Sequence, residues 1–261
     1  MAECLLALGS NLGDRGAILR DAVTAIGCIP QTHLVARSSW HETPPVGGPA
    51  GQSSFLNGAA LVSTSLDARV LYAELAQIER QLGRVRTDRW AARTLDLDLL
   101  LYGDEESCDS LGALDVPHPR MHSRQFVLAP AADVASWMVH PPSGWTVARL
   151  LQQLEAGDNE AAIAGVDAAV VNELVARLNM QLERGGATLR LRRWSGGAWN
   201  PGPRVLMAVD APTGTNAAAR RKMLRLPEAG PITWLGSDSI DAQAAEAWNV
   251  LASACPTLAA H

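Results

Sequence analysis

Two aspartates, Asp96 and Asp98, interrupt the otherwise apolar run TLDLDLLLY. Side chains alternate faces along an extended strand, so this spacing puts both carboxylates on one face and Leu95, Leu97 and Leu99 on the other. Neighbouring carboxylates repel, and a hard divalent cation relieves the repulsion. Magnesium does so through one or two carboxylates, completing its shell with water and phosphate oxygens. Taken alone, the same spacing also describes a half-exposed strand with two solvated aspartates. The segment just before it, RVRTDRWAAR, carries Arg84, Arg86, Arg89 and Arg93 together with Trp90. Arginine forks hold phosphate oxygens two at a time, and positive charge beside a magnesium seat is the recurring arrangement of phosphoryl transfer.

The chain has 261 residues and a single lysine, Lys222, among 22 basic residues. Its surroundings, ARRKML, are not a phosphate-binding G-x-x-x-x-G-K-[ST] loop, so a P-loop kinase is excluded and phosphate handling falls to arginine. A formal charge of -5 argues against a general nucleic-acid coat, so any anion site is local. Two other readings of these residues stay open at this point. One is a nucleotidyltransferase or glycosyltransferase with a D-x-D metal site. The other is an arginine-rich module that binds single-stranded nucleic acid through Arg84, Arg86, Arg89, Trp90 and Arg93. Cys4, Cys28, Cys108 and Cys255 have no C-x-x-C spacing, which indicates free thiols in a reducing compartment. The opening MAECLLALGSNLGDR lacks a secretory pattern and no apolar run approaches a membrane span, so a cytoplasmic location without membrane partners is expected.

The elements that must position these residues follow from periodicity. Residues 3–9 read as a strand and lead through the turn GSNLGD, with Asn11 and Asp14 as capping candidates, into a helix with apolar positions 18, 19, 22, 23 and 26. Strands are expected over 33–41 and 54–64, separated by a loop over 43–52 that holds three prolines and three glycines. A helix over 67–82 places Val70, Leu71, Leu75, Ile78 and Leu82 on one face, and the arginine loop and the aspartate strand follow. VPHPRMHSRQF is a proline-broken turn before a helix near 124–134. This order indicates an α+β fold with an antiparallel or mixed sheet. The small, acidic stretch EAGDNEAAIAG around 155–165 reads as a linker. After it come a helix over 166–184, strands over 187–194 and 203–210 across the turn SGGAWNPG, and a helix over 240–253, which together make a smaller α/β extension. The expected division is therefore residues 1–157 and 158–261. The turn in VLMAVDAPTGTN is read as a plain turn, with anion binding as the rarer possibility.

The stretch RWAARTLDLDLLLYG resembles the signature of the 6-hydroxymethyl-7,8-dihydropterin pyrophosphokinases of folate synthesis. ALGSNLGDR at 7–15, SSWHETPPVGGPAGQSSFLNGA at 38–59, IERQLGRVR at 78–86 and VPHPRMHSRQFVLAP at 116–130 agree in the same order, so the resemblance covers roughly residues 3–155. It implies a ferredoxin-like sheet with helices and a reaction in which the pterin hydroxymethyl oxygen attacks the β-phosphorus of ATP, AMP leaves and diphosphate moves whole.

By position, the resemblance gives Asp96 and Asp98 two magnesium ions, and gives Arg84 and Arg93 the ATP phosphates. Arg86, Arg89 and Trp90 fall in the family's closing loop, which is commonly one residue longer between Arg86 and Arg89. His118 matches a nucleotide contact and Arg124 a second arginine near the phosphates. Phe55 and Phe126, the chain's two phenylalanines, match aromatics that sandwich the pterin. Asn57 is placed to read the ring's amide edge, and Thr43, Pro45 and Val46 match the loop beside it. Glu79 also matches a family position, although a helix-surface salt bridge accounts for it equally. The expected partners are small molecules, ATP and the pterin, with no nucleic acid. The region after residue 158 resembles no family, and its helix over 166–184 is read as either a dimer contact or a dock onto the catalytic unit.

Overall fold

The computed structural model describes residues 1–46, 52–83, 94–108, 114–197, 199, 202–209, 221–236, 239–255 and 258. In chain order the first elements are β1 (Ala2–Ser10), α1 (Arg15–Gly27), β2 (Thr32–Arg37), β3 (His41–Thr43), β4 (Phe55–Thr64), α2 (Ala68–Gln81) and β5 (Asp96–Tyr102). The strand expected over 33–41 is thus two strands, β2 and β3, both paired with β4. Asp14 caps α1, accepting from the Ala17 N–H at 2.9 Å, and Asp67 caps α2, accepting from Val70 at 2.9 Å. Asn11 does not cap the helix. It is buried, and its amide donates to Gln52 Oε1 at 3.2 Å.

The main path of the first sheet runs β2-β4-β1-β5, with antiparallel pairing throughout. With two helices crossing one face, this is the ferredoxin-like α+β arrangement. Cys4, Leu6, Leu8, Val62, Leu97 and Leu99 pack under α1 and α2 on that face. Leu71, Leu75 and Ile78 of α2 point inward as the periodicity requires, whereas Val70 is 41% exposed.

The opposite face meets a second layer. After β5 the chain forms β6 (Ser107–Cys108) and β7 (Asp115–Val116), whose Val116 packs on the α1–α2 side, then a 3-10 turn at Met121–Ser123 and the start of this layer, α3 (Gln125–Ala135), β8 (Val139–His140), β9 (Trp145–Thr146) and α4 (Val147–Ala156). Next come β10 (Asp158–Ala164), α5 (Ala168–Arg184), β11 (Arg190–Arg193), β12 (Pro203–Ala208), β13 (Thr233–Trp234) and α6 (Ile240–Ala254). Strands β10 to β13 form an all-parallel sheet in the order β11-β10-β12-β13.

Two expectations for this half are corrected. The stretch read as a linker is β10, an interior strand of the sheet, in which Ala161, Ala162, Ile163 and Ala164 are buried. Small side chains there serve close packing between layers rather than chain flexibility. The strands expected on either side of SGGAWNPG do not pair with each other, because β10 lies between them.

One apolar cluster runs without a break from Leu5 and Leu61 of the first sheet, through Val127 and Leu128 of α3 and Leu150 and Leu154 of α4, to Ile163, Val205 and Met207 of the second sheet. Val171, Leu174, Leu178 and Leu182 of α5 join the same cluster, as does Trp248 from its edge, so the apolar stripe of α5 is buried within its own chain.

Candidate active site

β1 lies between β4 and β5, and its register sets the site. Gly9 pairs with Asn57 on one side and with Asp96 on the other, while His41 of β3 pairs with Asn57. Four strands therefore present His41, Asn57, Gly9 and Asp96 in one row on one face, because directly paired residues share a face. One step along, Ala7 pairs with both Ala59 and Asp98. At about 4.8 Å per strand spacing, the Asn57 and Asp96 backbones stand roughly 9.6 Å apart. Gly9 keeps the gap open, since a Cβ there would lie 3.2 Å from Asn57 Oδ1. Nothing in the local pattern around Gly9 singles it out; only the pairing does.

Each wall of this gap is held in place. Asn57 is buried and donates to Thr43 Oγ1 at 2.8 Å, fixing the amide against β3, where Thr43 pairs with Phe55. Arg15, at the start of α1, donates to Glu42 Oε1 at 2.9 Å and to the Ser54 carbonyl at 2.7 Å, tying β3 to the residue just before Phe55. His41 and Ser39 both contact Asp133 Oδ2 of α3, at 3.0 and 2.8 Å. Those hydrogen bonds hold the Asp133 carboxyl below the usual carboxylate range. On the far side, Glu79 of α2 is buried and accepts the Leu97 N–H at 2.8 Å. It thereby caps the outer edge of β5 between the two aspartates.

The turn after β7 closes the site. The His118 N–H donates to the Leu100 carbonyl at 2.9 Å, placing the imidazole over β5 with Nε2 4.0 Å from Asp98 Oδ2. Burial, then the nearby Arg124 and Arg120 charges, push His118 down to about 3, against a smaller opposing pull from Asp96. The ring is therefore neutral at physiological pH and faces the carboxylate without forming an ion pair. Its Nδ1 accepts the Arg120 N–H at 3.1 Å, which puts the ring proton on Nε2, the nitrogen aimed at Asp98. Arg124 stacks over Phe126 at 5.7 Å from the ring centroid. Phe126 and Val46 are half-buried against the central cluster, and Phe55 and Pro45 are also half-buried.

The structure thus brings Thr43, Phe55, Asn57, Asp96, Asp98, His118, Arg124 and Phe126 to the α3 face of the first sheet. Arg84, Arg86, Arg89, Trp90 and Arg93 lie outside the described residues, as does the turn after Val209.

Residues 5–136 match the family described as 7,8-dihydro-6-hydroxymethylpterin-pyrophosphokinase. The chain belongs to this pyrophosphokinase family. It is 43% identical over 143 residues to a 2-amino-4-hydroxy-6-hydroxymethyldihydropteridine pyrophosphokinase of Haemophilus influenzae, an alignment covering 55% of this chain and 88% of that one. An enzyme of the same name from Methylorubrum extorquens is 39% identical over 155 residues, 59% of this chain and 95% of the relative. Among solved structures, a Plasmodium falciparum HPPK-DHPS triple mutant aligns with a TM-score of 0.46 and 13% identity, over 86% of this chain and 60% of that one. The family match ends at residue 136, so the parallel sheet lies wholly beyond it.

The donor set suits a magnesium ion. Asp96 and Asp98 offer hard carboxylate oxygens from one face of β5, and the Asp98 side chain is 36% exposed, open to water and phosphate oxygens. Among the described residues no group of three or more His, Cys, Asp or Glu side chains forms a closed metal cage. Among the same residues, no helix is long and apolar enough to cross a membrane.

Proposed function

We propose that this chain transfers diphosphate from ATP to the hydroxymethyl oxygen of 6-hydroxymethyl-7,8-dihydropterin, releasing AMP, with residues 1–157 as the catalytic unit. Membership of the family supports the activity. The division of labour rests on one observation, the row in which Asn57 and Asp96 face one another across the space left by Gly9.

On this reading the pterin lies on the Asn57 side. The Asn57 amide, held by Thr43, reads the ring's amide edge with donor and acceptor together. Phe55 and Phe126 supply stacking faces, and Pro45 and Val46 close the loop beside them. ATP lies on the β5 side, where Asp96 and Asp98 would hold two magnesium ions, whose positive charge would offset that of the phosphates. Neutral His118 donates through Nε2–H toward the phosphate region without adding repulsion to the cations. Arg124 supplies fixed positive charge, and Arg84, Arg86, Trp90 and Arg93 complete the phosphate contacts. Because diphosphate moves whole, the chain must hold the hydroxymethyl oxygen in line with the β-phosphorus and exclude water.

Incubation with ATP, magnesium and the pterin tests the reading. AMP and pterin diphosphate are expected in equal amounts, and AMP is expected only when pterin is present. Pterin-independent AMP, or ADP as the product, overturns it.

A further inference from the structure

The turn that carries His118 is held from both sides. Its catalytic-unit anchor is the His118 N–H bond to Leu100. Its other anchors come from the parallel-sheet unit beyond the family match. His122, buried in the 3-10 turn, bonds through Nε2 to Thr233 Oγ1 of β13 at 2.9 Å. Arg120 extends its guanidinium to Glu246 of α6 at 3.5 Å. Glu246 is itself positioned, because its second oxygen accepts the Gly236 N–H at 3.0 Å. One carboxylate therefore ties the β13-to-α6 connection to the residue whose backbone N–H fixes the His118 ring. The same seam continues in the Gly230 N–H bond to the Ser143 carbonyl at 2.9 Å and in the Arg221 bond to the Pro142 carbonyl at 3.3 Å.

We infer that the C-terminal unit is a brace for the nucleotide-side turn, with Glu246 and Thr233 as positioning residues that hold Arg120 and His122, and through them His118, over β5. The inference rests on the reading of His118 as a nucleotide contact. Neither Glu246 nor Thr233 touches a reacting atom; each restricts the wander of a turn that does. Preorganisation of this kind acts on binding of the substrate that the turn touches, so its signature is selective for ATP.

The test uses the whole 261-residue chain. Glu246→Gln removes the charge while keeping the shape, and is expected to raise KM for ATP roughly two- to fivefold, the range of a partly exposed ion pair, with kcat and the pterin KM unchanged. Thr233→Val is expected to move the same constant in the same direction. Arg120→Gln alone should match Glu246→Gln, and the double variant should be no worse than either single one, because both remove the same contact.

An unchanged ATP KM in Glu246→Gln overturns the brace. So does a parallel loss in kcat and both KM values that tracks a lowered melting midpoint, which marks a merely structural role. Full additivity with Arg120→Gln overturns it as well. His118→Ala separates this inference from the reading beneath it. A raised ATP KM there together with a silent Glu246→Gln removes the brace alone, whereas an unchanged ATP KM in His118→Ala removes the nucleotide role of the turn and the brace with it.

Discussion

The molecule's two sheets share one apolar cluster but use their strands differently. In the antiparallel sheet, the face toward α3 is apolar at one end, with Leu5, Ala59 and Leu61, and polar at the other, with Asn57, Asp96 and Asp98 around Gly9. In the parallel sheet, residues 161–164 of β10 and 205–208 of β12 are small or aliphatic on both faces, with Ala161, Ile163, Val205 and Met207 on one side and Ala162, Ala164, Leu206 and Ala208 on the other. A sheet that leaves part of a face uncovered has room for substrates. One covered on both faces contributes only through its edges and connections, and here those reach the His118 turn. The interior strands of the second unit thus serve the apolar core that the two units share.

Separability gives the largest expected effect. Cutting the chain after Gly157 would uncover Leu150 and Leu154 of α4 and remove β10, β12 and α5 from the shared cluster. The fragment 1–157 is expected to aggregate or to lose cooperative melting. A soluble fragment that melts in one sharp transition and retains activity would show the two regions to be independent.

Within the antiparallel sheet, Asp98→Ala is expected to lower kcat roughly 10³-fold, since several kcal/mol of charge stabilisation are lost at a half-exposed position. Its melting midpoint should stay near that of the parent. Retained turnover would remove the aspartate pair from the site.

At the seam, His122 and His140 lie 5.5 Å apart and are both buried. Burial pushes His122 down to about 3, helped by the neighbouring His140, and pushes His140 down to about 4. Each imidazole is neutral when folded, while the unfolded chain takes up a proton below about pH 6.5. The unfolded state therefore binds more protons in this window. Stability should be fully present above pH 6.5 and fall on acidification toward pH 4, by on the order of 1.4 kcal/mol per group per pH unit. Denaturant midpoints between pH 7 and 4.5 measure this, and a His140→Gln variant with an unaltered slope would refute its share.

The smallest effect sharpens the site itself. Gly9→Ala puts a methyl 3.2 Å from Asn57 Oδ1. It is expected to raise the pterin KM about tenfold while the ATP KM stays within twofold, a crowding penalty near 1.4 kcal/mol. An equal rise in both would mean that the gap does not separate the two substrates as drawn.

Much of this was legible in the chain, and the illegible parts share a cause. Asp96 and Asp98 had to share a face once their segment was extended, because side-chain alternation is a property of one backbone. Asp14 announced the start of α1 for a similarly local reason. Glu79 did not announce its role, since the N–H it caps belongs to Leu97, 18 residues away and on another element. The EAGDNEAAIAG stretch looked like a linker because small and acidic residues are common in linkers. It is a strand because its neighbours β11 and β12, supplied from later in the chain, pair with it on both sides.

The sequence by itself determined β1, α1, β4, α2, β5 and α3 and the family, and it suggested metal and phosphate chemistry for the carboxylates and arginines, since these follow from local spacing and short motifs. Only the tertiary structure decided that Gly9 stands between Asn57 and Asp96, that His118 lies neutral over β5, and that Glu246 and Thr233 reach the turn carrying it. Strand register and burial are set by contacts between distant segments, and no stretch of chain encodes them alone.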